Sequence, residues 1–149
     1  MAVHRFERLQ RVSRPLSEVF AFFADAANLE QLTPGFLHFQ ILTPLPIAMR
    51  SGALIDYQLR LYGVPLRWRT LIETFEPGVG FVDVQLRGPY RVWRHHHTFR
   101  AVDGGTEIVD EIDYALPLWP ASAVALPLVR RSLRQIFDHR AAVVAERFG

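Results

Sequence analysis

Residues 81–99 read FVDVQLRGPYRVWRHHHTF, two β-strands about a Gly88-Pro89 turn. Alternation puts Phe81, Asp83, Gln85 and Arg87 on one face of the first strand, against Val82, Val84 and Leu86 on the other. The second strand divides into Trp93, His95, His97 and Phe99 against Val92, Arg94, His96 and Thr98. A strand buried in an ordinary core does not set Asp, Gln and His between a Phe and a Trp, because unpaired buried charge is strongly unfavourable. The mixture fits the wall of a ligand cavity.

On either side the chain continues in the same period. Upstream, Ala53 to Tyr62 sets Ile55, Tyr57, Leu59 and Leu61 against Asp56, Gln58 and Arg60. Gly63 then turns the chain into Val64 to Phe75, where Leu66, Trp68, Thr70 and Ile72 oppose Arg67, Arg69 and Glu73. Downstream, Asp103-Gly104-Gly105 is a tight hairpin into a strand from Thr106 to Leu116. Phe36 to Leu42 reads as a further strand, and residues 2–12 as the first, with charge on both its faces and no inner face evident. Seven strands with short connections predict a largely antiparallel meander. The longer connection, TPLPIAMRSG from Thr43 to Gly52, suits either a flap over a pocket mouth or a loop tucking Ile47 and Met49 onto the core edge.

Helices are expected in two places. Ser13-Arg14-Pro15 opens one carrying Leu16, Val19, Phe20 and Phe23 at helical spacing, and Asp25 is an N-cap for a second, short one ended by Thr33-Pro34-Gly35. After LPLWP at Leu116 to Pro120, a C-terminal helix runs to about Phe148, started afresh or interrupted at Pro127. Leu126, Val129, Leu133, Ile136, Phe137 and Val144 form its apolar stripe, and Arg140 falls in the middle of it. A stripe this long needs a concave partner, and only the sheet offers one.

The 149 residues are expected to form a single domain, 1–149. No apolar run approaches the ~20 residues that span a bilayer, and the N-terminus lacks the apolar core of a signal peptide, so the chain reads as cytoplasmic without stable membrane insertion. There is no Cys, which excludes disulfides, thiolate metal sites and cysteine nucleophiles. All 17 basic side chains are Arg, spread among 15 acidic residues for a formal charge of +2, so no block marks a nucleic-acid footprint. Arg60, Arg67, Arg69 and Arg94 fall on strand faces expected to be solvated.

The order of elements resembles the helix-grip fold of the START, Bet v 1 and polyketide cyclase superfamily: an α+β architecture in which a seven-stranded antiparallel sheet curls around a long C-terminal helix, with two short helices after the first strand. NLEQLTPGF (Asn28 to Phe36), GVPLRWR (Gly63 to Arg69), RRSLRQIFDHR (Arg130 to Arg140) and the 81–99 hairpin are similar to the bacterial ligand-binding SRPBCC branch, some members of which are called cell-division-inhibitor-like. That branch's pattern of Phe, Asp, Gln, Gly-Pro, Trp, His, His and Phe falls here on Phe81, Asp83, Gln85, Gly88, Pro89, Trp93, His95, His97 and Phe99. The resemblance implies a cavity between sheet and helix. It does not select a chemistry, since the superfamily includes carriers, receptors and cyclases.

Several chemistries compete for that cavity. Two His spaced for one strand face, with Asp110 on the next strand, resemble a divalent-metal site, yet spacing fixes no third ligand and the resemblance implies none; no metal and no cofactor is expected. If the protein is an enzyme, His95 or His97 paired with Asp83 or Asp110 would move protons as cyclases and dehydratases require. No Ser stands in a nucleophile-like setting. The reading favoured is non-catalytic binding of a small hydrophobic or amphipathic molecule. Tyr57, Trp68, Phe81, Trp93, Phe99, Ile112, Tyr114 and Phe137 would hold its apolar part, and Asp83, Gln85, His95, His97, Asp110 and Arg140 its polar end. Arg140 needs either Asp83, Asp110 or a ligand anion as partner, unless it snorkels to the helix end. An interaction module with a vestigial cavity is the remaining alternative, and the sequence identifies no protein partner.

Overall fold

The computed structural model describes all 149 residues. Strand β1 (His4–Val12) leads into α1 (Leu16–Phe23), a 3-10 turn (Ala26–Asn28), α2 (Leu29–Leu32) and a second 3-10 turn (Gly35–Leu37). Strands β2 (Gln40–Ile41), β3 (Leu54–Leu61), β4 (Val64–Glu76), β5 (Gly80–Arg87), β6 (Val92–Val102) and β7 (Gly105–Ala115) follow. A third 3-10 turn (Ala121–Ala125) hands over to α3 (Leu126–Phe148). The strands form one antiparallel sheet in the order β1-β7-β6-β5-β4-β3-β2, packed against α3: the helix-grip architecture. No helix is long and apolar enough to cross a bilayer.

Local chemistry accounts for the boundaries. Pro15 sits in extended backbone at the start of α1, and Val19, Phe20, Phe22 and Phe23 are all buried. Asp25 caps the turn after it, accepting from the Ala27 N–H at 3.0 Å. Pro127 lies in the first turn of α3, where a missing N–H costs nothing, so the helix starts there and is not broken. The inner face of β1, which charge on both sides obscures in the sequence, is His4, Phe6, Arg8, Gln10 and Val12. Its polar members reach α3: Arg8 donates to Asp138 at 2.7 Å and Gln10 to the Ala141 carbonyl at 2.9 Å.

Two expectations change, and one open choice is settled. Phe36 to Leu42 is not a strand: Gly35–Leu37 is a 3-10 turn, His38 takes a left-handed φ of 48°, and only Gln40–Ile41 pairs. Leu37 is thereby turned inward and buried, while Phe36 is left exposed. Arg87 lies on the outer face, not with Asp83 and Gln85, because the β4–β5 register jumps from Arg69↔Arg87 to Thr70↔Gln85. The extra residue is Leu86, and a bulge of this kind reverses side-chain alternation beyond it. The Thr43–Gly52 connection packs Ile47 and Met49 against buried side chains, the second of the two arrangements its sequence allows.

Three apolar clusters fill the concavity. The smallest is Ala26, Ala53, Ile55 and Ile72, against β3 and β4. Of the two larger, one joins α1 to Phe81, Phe99, Ile108, Val144 and Phe148, and the other joins Ile112, Tyr114 and Leu116 to Leu133 and Phe137. Between them, along β6 and β7, the inward residues are polar: His97 and His95 separate Phe99 from Trp93, and Asp110 separates Ile108 from Ile112.

Candidate functional site

The polar stripe is built by strand register. Asp83 lies opposite His95, and His97 opposite Asp110, across β5, β6 and β7. The side chains pair diagonally instead: His95 Nε2 donates to Asp110 Oδ1 at 2.7 Å, and His97 Nε2 to Asp83 Oδ2 at 2.5 Å. The imidazoles stack with centroids 3.6 Å apart, and the Phe81 ring covers the other side of His97 at 4.2 Å. With Nε2–H facing a carboxylate on each ring, neutral imidazole leaves Nδ1 as a lone pair. His97 Nδ1 has no hydrogen-bond partner.

Electrostatics follow from burial and neighbours. Burial, and then the His95 ring, push the His97 imidazole down to about 4 against the pull of Asp83, so it is neutral near pH 7. Burial raises both carboxyls, but other interactions outweigh it. Asp83 is held below its ordinary range chiefly by the His97 hydrogen bond, and Asp110 by the Arg140 charge and the His95 hydrogen bond. Because His97 is uncharged at neutral pH, it acts on Asp83 there through its hydrogen bond and not through charge. The Tyr57 phenol is pushed up by burial and stays protonated, 3.4 Å from the Thr70 hydroxyl.

Asp83, His95 and His97 offer donor atoms within 4.8 Å of one another. A metal shared by two imidazoles lies near both ring planes, about 2.0–2.1 Å from each nitrogen. Rings stacked at 23° direct their lone pairs side by side and not toward one point, so this arrangement is a hydrogen-bonded pair of pairs and not a chelate.

Arg140 reaches the same place from α3, yet pairs with neither carboxylate. Its Nε is buried without a partner, and its guanidinium lies between the rings of Phe23 and Phe137, at 5.2 and 5.5 Å. It lines a cavity of about 160 Å³ between sheet and helix, and an adjoining compartment of about 70 Å³ under α1 and Met49. Of the sequence-derived candidates, Tyr57, Trp68, Asp83, Trp93, His95, His97, Phe137 and Arg140 line the larger space, and Phe81 lines the smaller. Asp110 lies outside the lining and fixes His95. Phe99, Ile112 and Tyr114 belong to the two larger clusters. Gln85 is occupied by backbone: it donates to the Tyr90 carbonyl and accepts from the Tyr90 N–H, at 2.8 and 3.1 Å.

That clamp explains a lining residue which the sequence conceals. The β5–β6 pairing ends at Val84↔Arg94, and the chain between them bows out about Gln85. Tyr90 therefore turns inward to meet Trp93 at 4.8 Å and Trp68 at 5.8 Å. Leu37 and Phe39 also line the cavity, hidden by the strand expected there. Leu133 and Ile136 were legible as helix stripe, with nothing to separate lining from core.

The chain matches a family model described as a domain of unknown function (DUF8410) over residues 41–148, a span that holds the whole His, Asp and Arg cluster. The chain belongs to the DUF8410 family. No curated protein matches it. Among solved structures it is similar to the Zhui aromatase/cyclase from Streptomyces sp. R1128, at 14% identity and a TM-score of 0.78 over 98% of this chain and 93% of that one. It is likewise similar to Ara h 8.0201, at 16% identity and a TM-score of 0.65 over 96% and 98% of the two chains. A nucleoside-diphosphate sugar epimerase from Corynebacterium glutamicum matches at 25% identity and a TM-score of 0.65, over 95% of this chain but 28% of that longer one. At 14% and 16% identity what is shared is the fold, so the family's chemistry has to be argued from the site itself.

Proposed function

We propose that the chain acts as a single domain that binds a small amphipathic molecule in the cavity between sheet and α3. The observation carrying this reading is a cluster of unmet hydrogen-bonding atoms. Trp68 Nε1, His97 Nδ1 and Arg140 Nε are buried without partners, and all three residues line the same cavity. Buried polar groups are paired in the great majority of cases, and a ligand that pairs them removes the cost. The volume of about 160 Å³ is below the ~300–1,000 Å³ of sites for drug-sized molecules, so the guest is small. The ligand-binding SRPBCC branch is the part of the superfamily this reading fits.

Native mass spectrometry of protein purified from its own host, followed by solvent extraction, tests the proposal. A stoichiometric guest that survives gel filtration and is lost from Arg140→Met supports it. If no guest copurifies and no small ring compound quenches the fluorescence of Trp68 and Trp93, the cavity is vestigial and an interaction module is the better reading.

Acid–base catalysis is the second reading, favoured by the free Nδ1 of a His97 held by Asp83. It ranks lower because a base lowered to about 4 has little driving force to take a proton from carbon. NMR detection of deuterium exchange next to a ketone carbonyl, abolished in His97→Gln, would reverse the ranking.

A further inference from the structure

We propose that the guest is a small organic monoanion, a single ring or its equivalent bearing a carboxylate, with the carboxylate on Arg140 and the ring among Trp68, Trp93 and Phe137. This rests on the ligand-binding reading above and adds the chemical class.

Charge decides first. Asp83, Asp110 and Arg140 carry charge at the site, and His97 does not. Each carboxylate already accepts from an imidazole, whereas the guanidinium, although its charge reaches Asp110 and Asp83, is hydrogen-bonded to neither and lies against two Phe rings. Cation–π contact with two Phe rings offsets part of the cost of desolvating Arg140, and a carboxylate in the cavity would supply the rest through a paired fork geometry. Polarity agrees. Guanidinium and indole N–H are donors only, so what is unmet at Arg140 and Trp68 calls for acceptor atoms on the guest, while the lone pair at His97 Nδ1 takes a single donor such as a hydroxyl substituent.

Size narrows the class further. The main space, about 160 Å³, is close to the ~150 Å³ of an engineered cavity that admits benzene. The compartment of about 70 Å³ on the other side of Arg140 leaves room for a small substituent. A long acyl chain or a fused polycycle exceeds both.

An anion here also has a proton consequence. The titratable groups facing Arg140 and its guest are Tyr57 from β3, Asp83 from β5, Tyr90 from the β5–β6 connection and His95 and His97 from β6, with Asp110 from β7 behind His95. A negative charge added beside His97 favours its imidazolium form, so any proton taken up on binding goes to that ring and shows at the acid end, just above its free value of about 4, and not near neutrality.

Calorimetry with benzoate, benzyl alcohol and benzylamine separates the outcomes. On the intact protein, benzoate is expected to bind about tenfold or more tighter than benzyl alcohol, with benzylamine weakest. Arg140→Met should weaken benzoate about thirtyfold and leave benzyl alcohol within about threefold. Trp68→Phe, which removes one donor and little shape, should cost benzoate a smaller factor. Benzyl alcohol or benzylamine binding as tightly as benzoate overturns the monoanion proposal and leaves ligand binding standing. If none of the three binds, both fall. Should Arg140→Met fail to fold, the comparison of the three compounds on the intact protein decides alone.

Discussion

At His97, burial and the neighbouring His95 ring lower the imidazole to about 4, while the unfolded chain titrates near the ordinary value of 6.5. Between those values the unfolded chain binds the proton and the folded one does not, so stability falls as pH drops through that window. The slope contributed is up to about 1.4 kcal/mol per pH unit. Asp83 and Asp110 act in the same direction at lower pH, since their folded carboxyls sit below the usual range. Urea unfolding at a series of pH values should show the midpoint falling from pH 6.5 toward pH 4, and His97→Gln should flatten that stretch; an unchanged slope would mean that the imidazole is not held neutral. The inward placement of Asp83, His95 and His97 was readable from alternation alone. That the pairs form diagonally, and that Arg140 is left out of them, depends on rotamers and on the height of α3, which no sequence spacing encodes.

Among the elements, the hairpin from Phe81 to Phe99 departs from a regular ladder at Leu86 and again about Gln85 and Tyr90. Gly88 makes this possible: a Cβ there would come within 2.6 Å of the Gln85 amide oxygen. Gly88→Ala should displace the Gln85 side chain and release Tyr90, costing about 1–3 kcal/mol through the unmet amide and loosening the Trp68, Tyr90 and Trp93 wall. Thermal unfolding gives the first effect and near-UV circular dichroism the second; a variant unchanged in both would show that the clamp does not shape the cavity. Bulges and the 3-10 turn at Gly35–Leu37 escaped the sequence reading for one reason. A period of two continues through them on paper, and only pairing with a neighbouring strand reveals that a residue has been inserted.

For the molecule as a whole, the question is what holds α3 over a sheet that is not fully apolar beneath it. Phe137 answers for one core: it is 4% exposed, packs on Phe6 at 4.9 Å, meets the His95 ring at 5.6 Å and flanks Arg140. Phe137→Ala should cost about 3–5 kcal/mol, as large-to-small changes in a packed core do. The same change enlarges the cavity, so any bound ring compound should bind differently in step with the lost stability. Gln10→Ala is expected to cost about 0.5–1.5 kcal/mol, read as a lowered denaturation midpoint, because its amide joins β1 to the Ala141 carbonyl of α3. A loss below measurement error would place the closure of the sheet on α3 with apolar packing alone.

The element order, the antiparallel sheet and the inward Asp83, His95, His97 and Asp110 were all present in the sequence, whereas the polar residues that β1 turns inward were not legible there. What was legible follows from period, turn residues and an apolar helix stripe, all of which are local properties. Only packing across the fold decided that the two larger apolar clusters stand apart with a space between them, that Gln85 serves the backbone, and that Arg140 enters that space without a hydrogen-bonded partner. Those outcomes depend on how closely a curled, bulged sheet approaches one helix. That distance is set by packing across the whole chain and is written in no single stretch of it.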